Sequence, residues 1–239
     1  MRILLILPAY NEEQTILQTV RQIQETSFPE GMEVDYIVIN DGSTDGTEAL
    51  CRQHQLNCLS LIQNLGIGGA VQTGYLYAAR YDYDIAVQFD GDGQHDIRSL
   101  ADLVKPVMEG RCDFSVGSRF VTRSSGFQST ALRRLGISYL SAVIRLVTGQ
   151  KITDVTSGYR AGNRRAIQYF AHNYPVDYPE PESLVQLHKK GLTICEVPVN
   201  MFERSGGKSS INCFRSIYYM IKVTLAIFIA AMQRGEEFP

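Results

Sequence analysis

Ile85-Ala86-Val87-Gln88-Phe89-Asp90-Gly91-Asp92-Gly93-Gln94-His95 is an apolar run that ends in two carboxylates one residue apart, each followed by glycine. Side chains alternate between faces along a strand, so Asp90 and Asp92 point the same way if the strand continues. If Gly91 and Gly93 bend the backbone, the two acids converge instead. Either geometry offers hard oxygen ligands. Such a pair suits a small divalent cation, Mg2+ or Mn2+, that keeps some waters and takes its remaining ligands from a substrate diphosphate. The plainer reading of the same residues is a polar turn at a strand end, because Asp-Gly pairs are common in turns.

Outward from this stretch, short apolar runs alternate with helical patterns, which argues for an α/β sheet. Strands are expected over residues 3–7, 34–40, 59–63, 85–90 and 114–117, and helices over 12–25, 44–53, 69–80 and 97–108. With no repeat or long linker, one continuous domain over residues 1–210 and an appended C-terminal helix within 211–239 is the economical division.

The 239 residues suffice for one sizeable core, and 44% hydrophobic with 20% charged describes an ordinary soluble composition. A net charge of -2 gives no basic excess to neutralise phosphates, so nucleic acid is not an expected partner. The five cysteines are odd in number and form no CxxC pair, which suggests a reduced, cytosolic setting. The first apolar run is short and stops at Pro8, so it reads as a core strand and no secretory signal is evident.

Pro8-Ala9-Tyr10-Asn11-Glu12-Glu13 closes the first strand and Asn40-Asp41-Gly42-Ser43-Thr44-Asp45-Gly46-Thr47 closes the second. Ligands of open α/β sheets lie beyond the carboxyl ends of strands, where both fall. Taken singly, each is equally a strand-to-helix turn, with Glu12 and Glu13 in a helix's first turn complementing its dipole. Asn64-Leu65-Gly66-Ile67-Gly68-Gly69-Ala70 opens a further helix, and its glycines permit close backbone approach to an anion. The spacing is neither a dinucleotide fingerprint nor a P-loop.

In order along the chain, these four segments resemble the successive signatures of family 2 inverting glycosyltransferases. Val116-Gly117-Ser118-Arg119-Phe120, Asp154-Val155-Thr156-Ser157-Gly158-Tyr159-Arg160 and Glu203-Arg204-Ser205-Gly206-Gly207-Lys208-Ser209 extend the likeness toward the branch that transfers sugars to dolichyl or undecaprenyl phosphate. The resemblance implies a GT-A fold, a Rossmann-like mixed sheet flanked by helices. It also implies transfer of a hexose from a UDP- or GDP-linked donor to a polyprenyl phosphate, with Mg2+ or Mn2+ as cofactor.

Carried over position by position, Pro8, Tyr10, Glu12 and Asp41 hold the nucleoside, with Asp41 accepting hydrogen bonds from the base. Gly69 and Lys208 join the donor-binding set. Asp90 contacts ribose or metal-bound water, Asp92 binds the metal, and Gln94 reaches toward its shell. The chemistry is reasonable, because a cation there stabilises the departing nucleoside diphosphate.

Arg119, Arg133, Arg134, Arg160, Arg204 and Lys208 form a second basic set suited to a phosphorylated acceptor. Arg119, Arg160 and Arg204 are expected to act in catalysis beside Asp92, with Arg160 oriented by Asp154. Arg133 and Arg134 read more simply as surface charges. Residues 124–129, rich in Ser and Gly, read as a loop over the acceptor side.

A lipid monophosphate is already ionised near neutral pH, its second ionisation falling at about 6, so it needs no strong base to attack. A sugar hydroxyl does, and for a glycan acceptor the base would be Glu180 or Glu182. Those glutamates equally suit the start of a helix. A non-catalytic nucleotide-sugar binding subunit is a further alternative, disfavoured by the intact acid pair.

From residue 211 the chain turns apolar at helical spacing. Its longest uninterrupted stretch, residues 223–232, is about half the roughly 20 residues a bilayer crossing requires. An interfacial helix that meets a membrane surface or a membrane partner through residues 211–233 is expected, although a helix packed on the domain itself fits the same pattern. The resulting picture is a peripheral enzyme on the cytoplasmic face of a membrane, with homo-oligomerisation left open.

Overall fold

Ile3, Leu4, Leu5, Ile6 and Leu7 are all fully buried, and they form the middle of the strand from which the sheet is built. The computed structural model describes residues 1–91, 93, 95–120, 131–200 and 213–232. Seven strands form one sheet: β1 (Arg2–Ala9), β2 (Glu33–Asn40), β3 (Cys58–Ser60), β4 (Ile85–Gln88), β5 (Phe114–Ser118), β6 (Arg160–Asn163) and β7 (Ile194–Pro198). Their order is β3-β2-β1-β4-β6-β5-β7. β6 runs antiparallel to both its neighbours, and every other pairing is parallel. The mixed sheet of a GT-A fold is therefore present.

Eight helices cover the two faces among the described residues: α1 (Ile16–Glu25), α2 (Thr47–Gln53), α3 (Gly66–Arg80), α4 (Leu100–Met108), α5 (Ala131–Thr148), α6 (Arg164–His172), α7 (Pro179–Lys189) and α8 (Cys213–Met232). Alternation along β1 divides the core in two. Leu4 and Ile6 face a cluster with α3, α5, α6, α7 and α8. Ile3, Leu5 and Leu7 face the other side, with α1 and α4. At Gly74 in α3 an added Cβ would lie 2.2 Å from Ile6 Cγ2, so the helix lies directly on β1.

Several expected boundaries shift. Glu12 and Glu13 precede α1 rather than occupying its first turn, because the Glu12 carbonyl accepts from the Thr15 and Ile16 amides and closes a turn there. β4 stops at Gln88, so Asp90 sits in the bend beyond the strand. β6 and β7 were not expected from the residue pattern.

The cysteines, which suggested a reduced setting and showed no CxxC pair in the sequence, include two that meet in the fold. Cys112 and Cys195 stand sulfur against sulfur as a disulfide pair between the approach to β5 and the adjacent β7, with Cα atoms 6.1 Å apart. Their separation of 83 residues hid the pairing from any spacing rule.

Among the described residues no helix is long and apolar enough to cross a membrane. α8 buries Val223, Ile227 and Ala230 in the core that α5 and α7 share. Its last carbonyls would otherwise lack partners. Lys189 Nζ, at the end of α7, donates to the carbonyls of Ala230 and Ala231 at 2.9 Å each.

Candidate active site

A cavity of about 440 Å³ opens at the carboxyl ends of β1, β2 and β4. Pro8, Tyr10 and Glu12 line it beyond β1, Asp41 beyond β2, Gly66 and Ala70 at the start of α3, and Asp90 beyond β4. Gly69 was expected here but is directed elsewhere. An added Cβ there would lie 2.5 Å from that of Leu65. Gly66 takes the lining position, and its φ of +78° favours glycine.

The loops after β1 and β2 are zipped to each other, which explains much of their polar sequence. The Asn11 amide donates to Ser43 Oγ (3.0 Å) and the Thr44 amide to Asn11 Oδ1 (2.8 Å). The Glu12 amide donates to Thr47 Oγ1 (2.9 Å) and the Gly46 amide to Glu13 Oε2 (2.8 Å). These residues fix the rim and leave Tyr10 to face the cavity. Glu12 is itself engaged, since its Oε2 accepts from Thr15 Oγ1 at 2.7 Å.

Asp41 joins β2 to the next loop. Its Oδ1 accepts from the Leu65 amide at 2.7 Å. Burial raises its pKa, while the Leu65 and Gly66 amides pull the other way. Close contact between these loops is obligatory, because a Cβ at Gly42 would lie 2.8 Å from the Asn64 nitrogen.

Asp90 is flanked on three sides. Gln88 Nε2 donates to Oδ1 at 3.4 Å, and Gln88 Oε1 accepts from the Tyr174 hydroxyl at 3.1 Å. The Asp90 amide donates to His95 Nδ1 at 3.1 Å, while His95 Nε2 lies 3.5 Å from Asp90 Oδ2. A ring nitrogen that accepts carries no proton, so Nε2 holds the hydrogen of the neutral ring. Tyr159 stacks flat on this imidazole, the ring centroids 4.7 Å apart. On the third side Gly158 makes room for the carboxylate, since an added Cβ there would lie 2.8 Å from Asp90 Oδ2.

Both side-chain contacts to the Asp90 carboxylate are long, and a third of that side chain is exposed. Its oxygens therefore retain capacity for a cation. No group of three or more His, Cys, Asp or Glu among the described residues could cage a metal. Mg2+ held by one or two carboxylates and a substrate diphosphate needs no such cage. Asp92 and Gln94, the other expected ligands, lie outside the described residues, as do Arg204, Lys208 and the 124–129 loop.

The expected roles of two arginines change. Asp154 orients Arg119 rather than Arg160: Arg119 Nε and Nη2 each donate to its carboxylate at 2.7 Å, and the Arg119 amide adds a third bond at 3.0 Å. Arg160, 1% exposed, donates to the carbonyls of Ser157, Val155 and Glu180 and to Ser183 Oγ. Those acceptors consume its guanidinium, which makes it a latch between β6 and the first turn of α7. Arg134 lies exposed on α5, and the Arg133 side chain is outside the described set.

Glu180 and Glu182 occupy that first turn of α7, where the helix dipole favours acids. Burial nevertheless raises the pKa of Glu180. The Arg160 charge opposes the rise and the Asp90 charge adds to it. Burial also raises Glu182. Neither lines the donor cavity.

The sequence profile of "Glycosyl transferase family 2" matches residues 4–170. The chain belongs to this family. The transferase is 30% identical to the UDP-N-acetylglucosamine–dolichyl-phosphate N-acetylglucosaminyltransferase of Methanococcus voltae, over 82% of this chain and 84% of that one. It is 29% identical to the undecaprenyl-phosphate mannosyltransferase of Micrococcus luteus, over 89% and 88%. Its fold is similar to that of glucosyl-3-phosphoglycerate synthase from Mycobacterium tuberculosis, solved with Mn2+, UDP and phosphoglyceric acid. The TM-score is 0.73 at 20% identity, over 98% of this chain and 80% of that one.

Residue patterns had missed three residues around Asp90. Gln88 and Tyr174 are 86 residues apart and meet only because α6 and the segment after it pack over β4. His95 stood in the quoted stretch, and its position before a buried turn was the available signal.

Proposed function

We propose that this family 2 glycosyltransferase transfers a hexose from a nucleoside-diphosphate sugar to a polyprenyl phosphate, with inversion at the anomeric carbon. The observation that carries the donor half is the cavity with Asp41 at one end and the open Asp90 carboxylate at the other. The acceptors named for the two curated relatives support the other half. We take residues 1–210 as the catalytic domain and 211–239 as an appended membrane-side segment of a peripheral enzyme at the cytoplasmic face.

In this reading Asp41 faces the base, Pro8 and Tyr10 flank the nucleoside, and Asp90 with Asp92 would hold Mg2+ or Mn2+. When bound, the cation supplies positive charge for the departing diphosphate. A phosphate oxygen of the acceptor forms the new bond to the anomeric carbon. The old carbon–oxygen bond breaks, and the nucleoside diphosphate leaves with its electron pair. The attacking oxygen is already ionised, its second pKa being about 6, so no side chain has to remove a proton.

A glycan acceptor is the second reading, favoured by the Glu180 carboxyl at the start of α7, which burial pushes up and which feels the Asp90 charge. A hydroxyl would require that base. Transfer assays with a polyprenyl phosphate and with an oligosaccharide, each with wild type and Glu180→Gln, decide between them. Transfer to the lipid phosphate that survives Glu180→Gln is expected. Transfer to the oligosaccharide alone, lost in that variant, overturns the first reading. For the metal, Asp92→Ala is expected to abolish Mn2+-dependent nucleotide binding, and unchanged turnover would remove it from the site.

A further inference from the structure

Resting on the reading that Asp90 serves the diphosphate end of the donor cavity, we propose that Tyr174 is a positioning residue, which through Gln88 fixes the direction in which Asp90 presents its carboxylate. Gln88 is the anomaly that leads to it. β4 is buried at every position, and its first three residues are Ile85, Ala86 and Val87. The fourth is an amide, 1% exposed, paired with Ile6 of β1 on one side and Arg160 of β6 on the other. An amide buried in the middle of a sheet is costly unless its polar atoms are bonded. Here Oε1 accepts from the Tyr174 hydroxyl and Nε2 donates to Asp90 Oδ1.

Only one setting of this amide satisfies both neighbours. A carboxylate without a proton can only accept, so Gln88 turns its nitrogen toward Asp90 and its oxygen toward Tyr174. The reverse setting would press the amide oxygen against a carboxylate oxygen. A hydroxyl that donates therefore selects the setting that holds Asp90. Burial pushes the Tyr174 pKa up, so the hydroxyl keeps the proton it gives.

Tyr174 is held in turn by two helices. Its ring, 6% exposed, meets Phe170 of α6 edge-on at 5.0 Å and Tyr75 of α3 at 5.4 Å. The two residues that follow press on the first turn of α3. An added Cβ at Gly68 would collide with the Pro175 carbonyl and lie 2.6 Å from Val176 Cα. Gly158 closes the other side, where an added Cβ would lie 3.2 Å from Gln88 Nε2. The segment between α6 and α7 thus touches the start of the helix that lines the donor cavity and reaches through one amide to the carboxylate at its far end.

The test is calorimetric titration of the full chain with UDP and with GDP, each with and without Mn2+. Wild type is compared with Tyr174→Phe, Gln88→Met, the double variant and Tyr75→Phe, and thermal melts verify that each folds. Tyr174→Phe removes one oxygen from a ring that stays packed. It is expected to weaken the Mn2+-dependent part of nucleotide binding about two- to tenfold and to leave Mn2+-free binding, which rests on the Asp41 end, unchanged. Gln88→Met should do the same, and the double variant should lose no more than either single one, because both break one relay. Tyr75→Phe takes a hydroxyl from the same aromatic cluster outside the relay and should bind as wild type. Mn2+-dependent binding retained in Tyr174→Phe, additive losses in the double variant, or an equal loss in Tyr75→Phe overturns the relay and leaves the reading of Asp90 standing. If Mn2+ adds nothing to the binding of either nucleotide by wild type, the reading of Asp90 falls and the relay falls with it.

Discussion

Arg119 grips Asp154 through two parallel hydrogen bonds of 2.7 Å, with the side chains 5% and 0% exposed. The pair ties the end of β5 to the loop before β6. Removing one partner strands a buried charge, so Asp154→Ala is expected to cost about 3–5 kcal/mol of stability. Urea unfolding measures this. Replacing both residues with Leu and Met should recover much of the loss, and a double variant as unstable as the single would refute this account.

Gly158 leaves no room beside Asp90 Oδ2. Gly158→Ala should therefore displace that carboxylate while the fold persists. A drop in kcat approaching about a hundredfold is expected, since misplacing a reacting group by an ångström has that effect. Steady-state kinetics beside a thermal melt would expose a purely structural effect as a lowered Tm with kcat intact.

Asp41 both closes the loop before α3 and faces the cavity. Asp41→Ala frees the Leu65 amide and takes a carboxylate from the nucleoside end. Calorimetric titration with nucleoside diphosphate is expected to show affinity weakened by about 1–3 kcal/mol. Unaltered affinity would exclude the residue from base recognition.

Asp113 binds the starts and ends of three strands, accepting from the Thr193 amide and hydroxyl, Asn163 Nδ2 and Arg165 Nη1. Burial pushes its pKa up, but these donors outweigh it and the net shift is downward from 3.8. Its stabilisation is therefore full above that ordinary value and is lost as pH falls through the lowered folded value. Asp113→Asn should cost about 1–3 kcal/mol at neutral pH, and the difference from wild type should shrink below pH 3.8. Denaturant titrations across that range provide the check.

The first five strands were legible because each is an apolar run ending in turn chemistry. β6 was not, because it opens with Arg160, and a buried arginine satisfied by carbonyls looks in sequence like any surface charge. The same limit applies to the basic set. Residue type marks Arg119 as able to grip two oxygens, but only the fold reveals that those oxygens belong to Asp154. Loop motifs were legible as rim segments, whereas the division of labour within them was not. Asn11 pairs with Ser43, Glu12 with Thr47 and Gly46 with Glu13 across 32 to 35 residues, which no local pattern encodes.

α7 is clamped at both extremities, by Arg160 on the Glu180 carbonyl and by Lys189 on the final carbonyls of α8. Its 11 residues make a strut about 16 Å long. This spacer fixes the distance between Arg160 at the head of β6 and the last turn of α8, as a surveyor's staff fixes the level of an instrument.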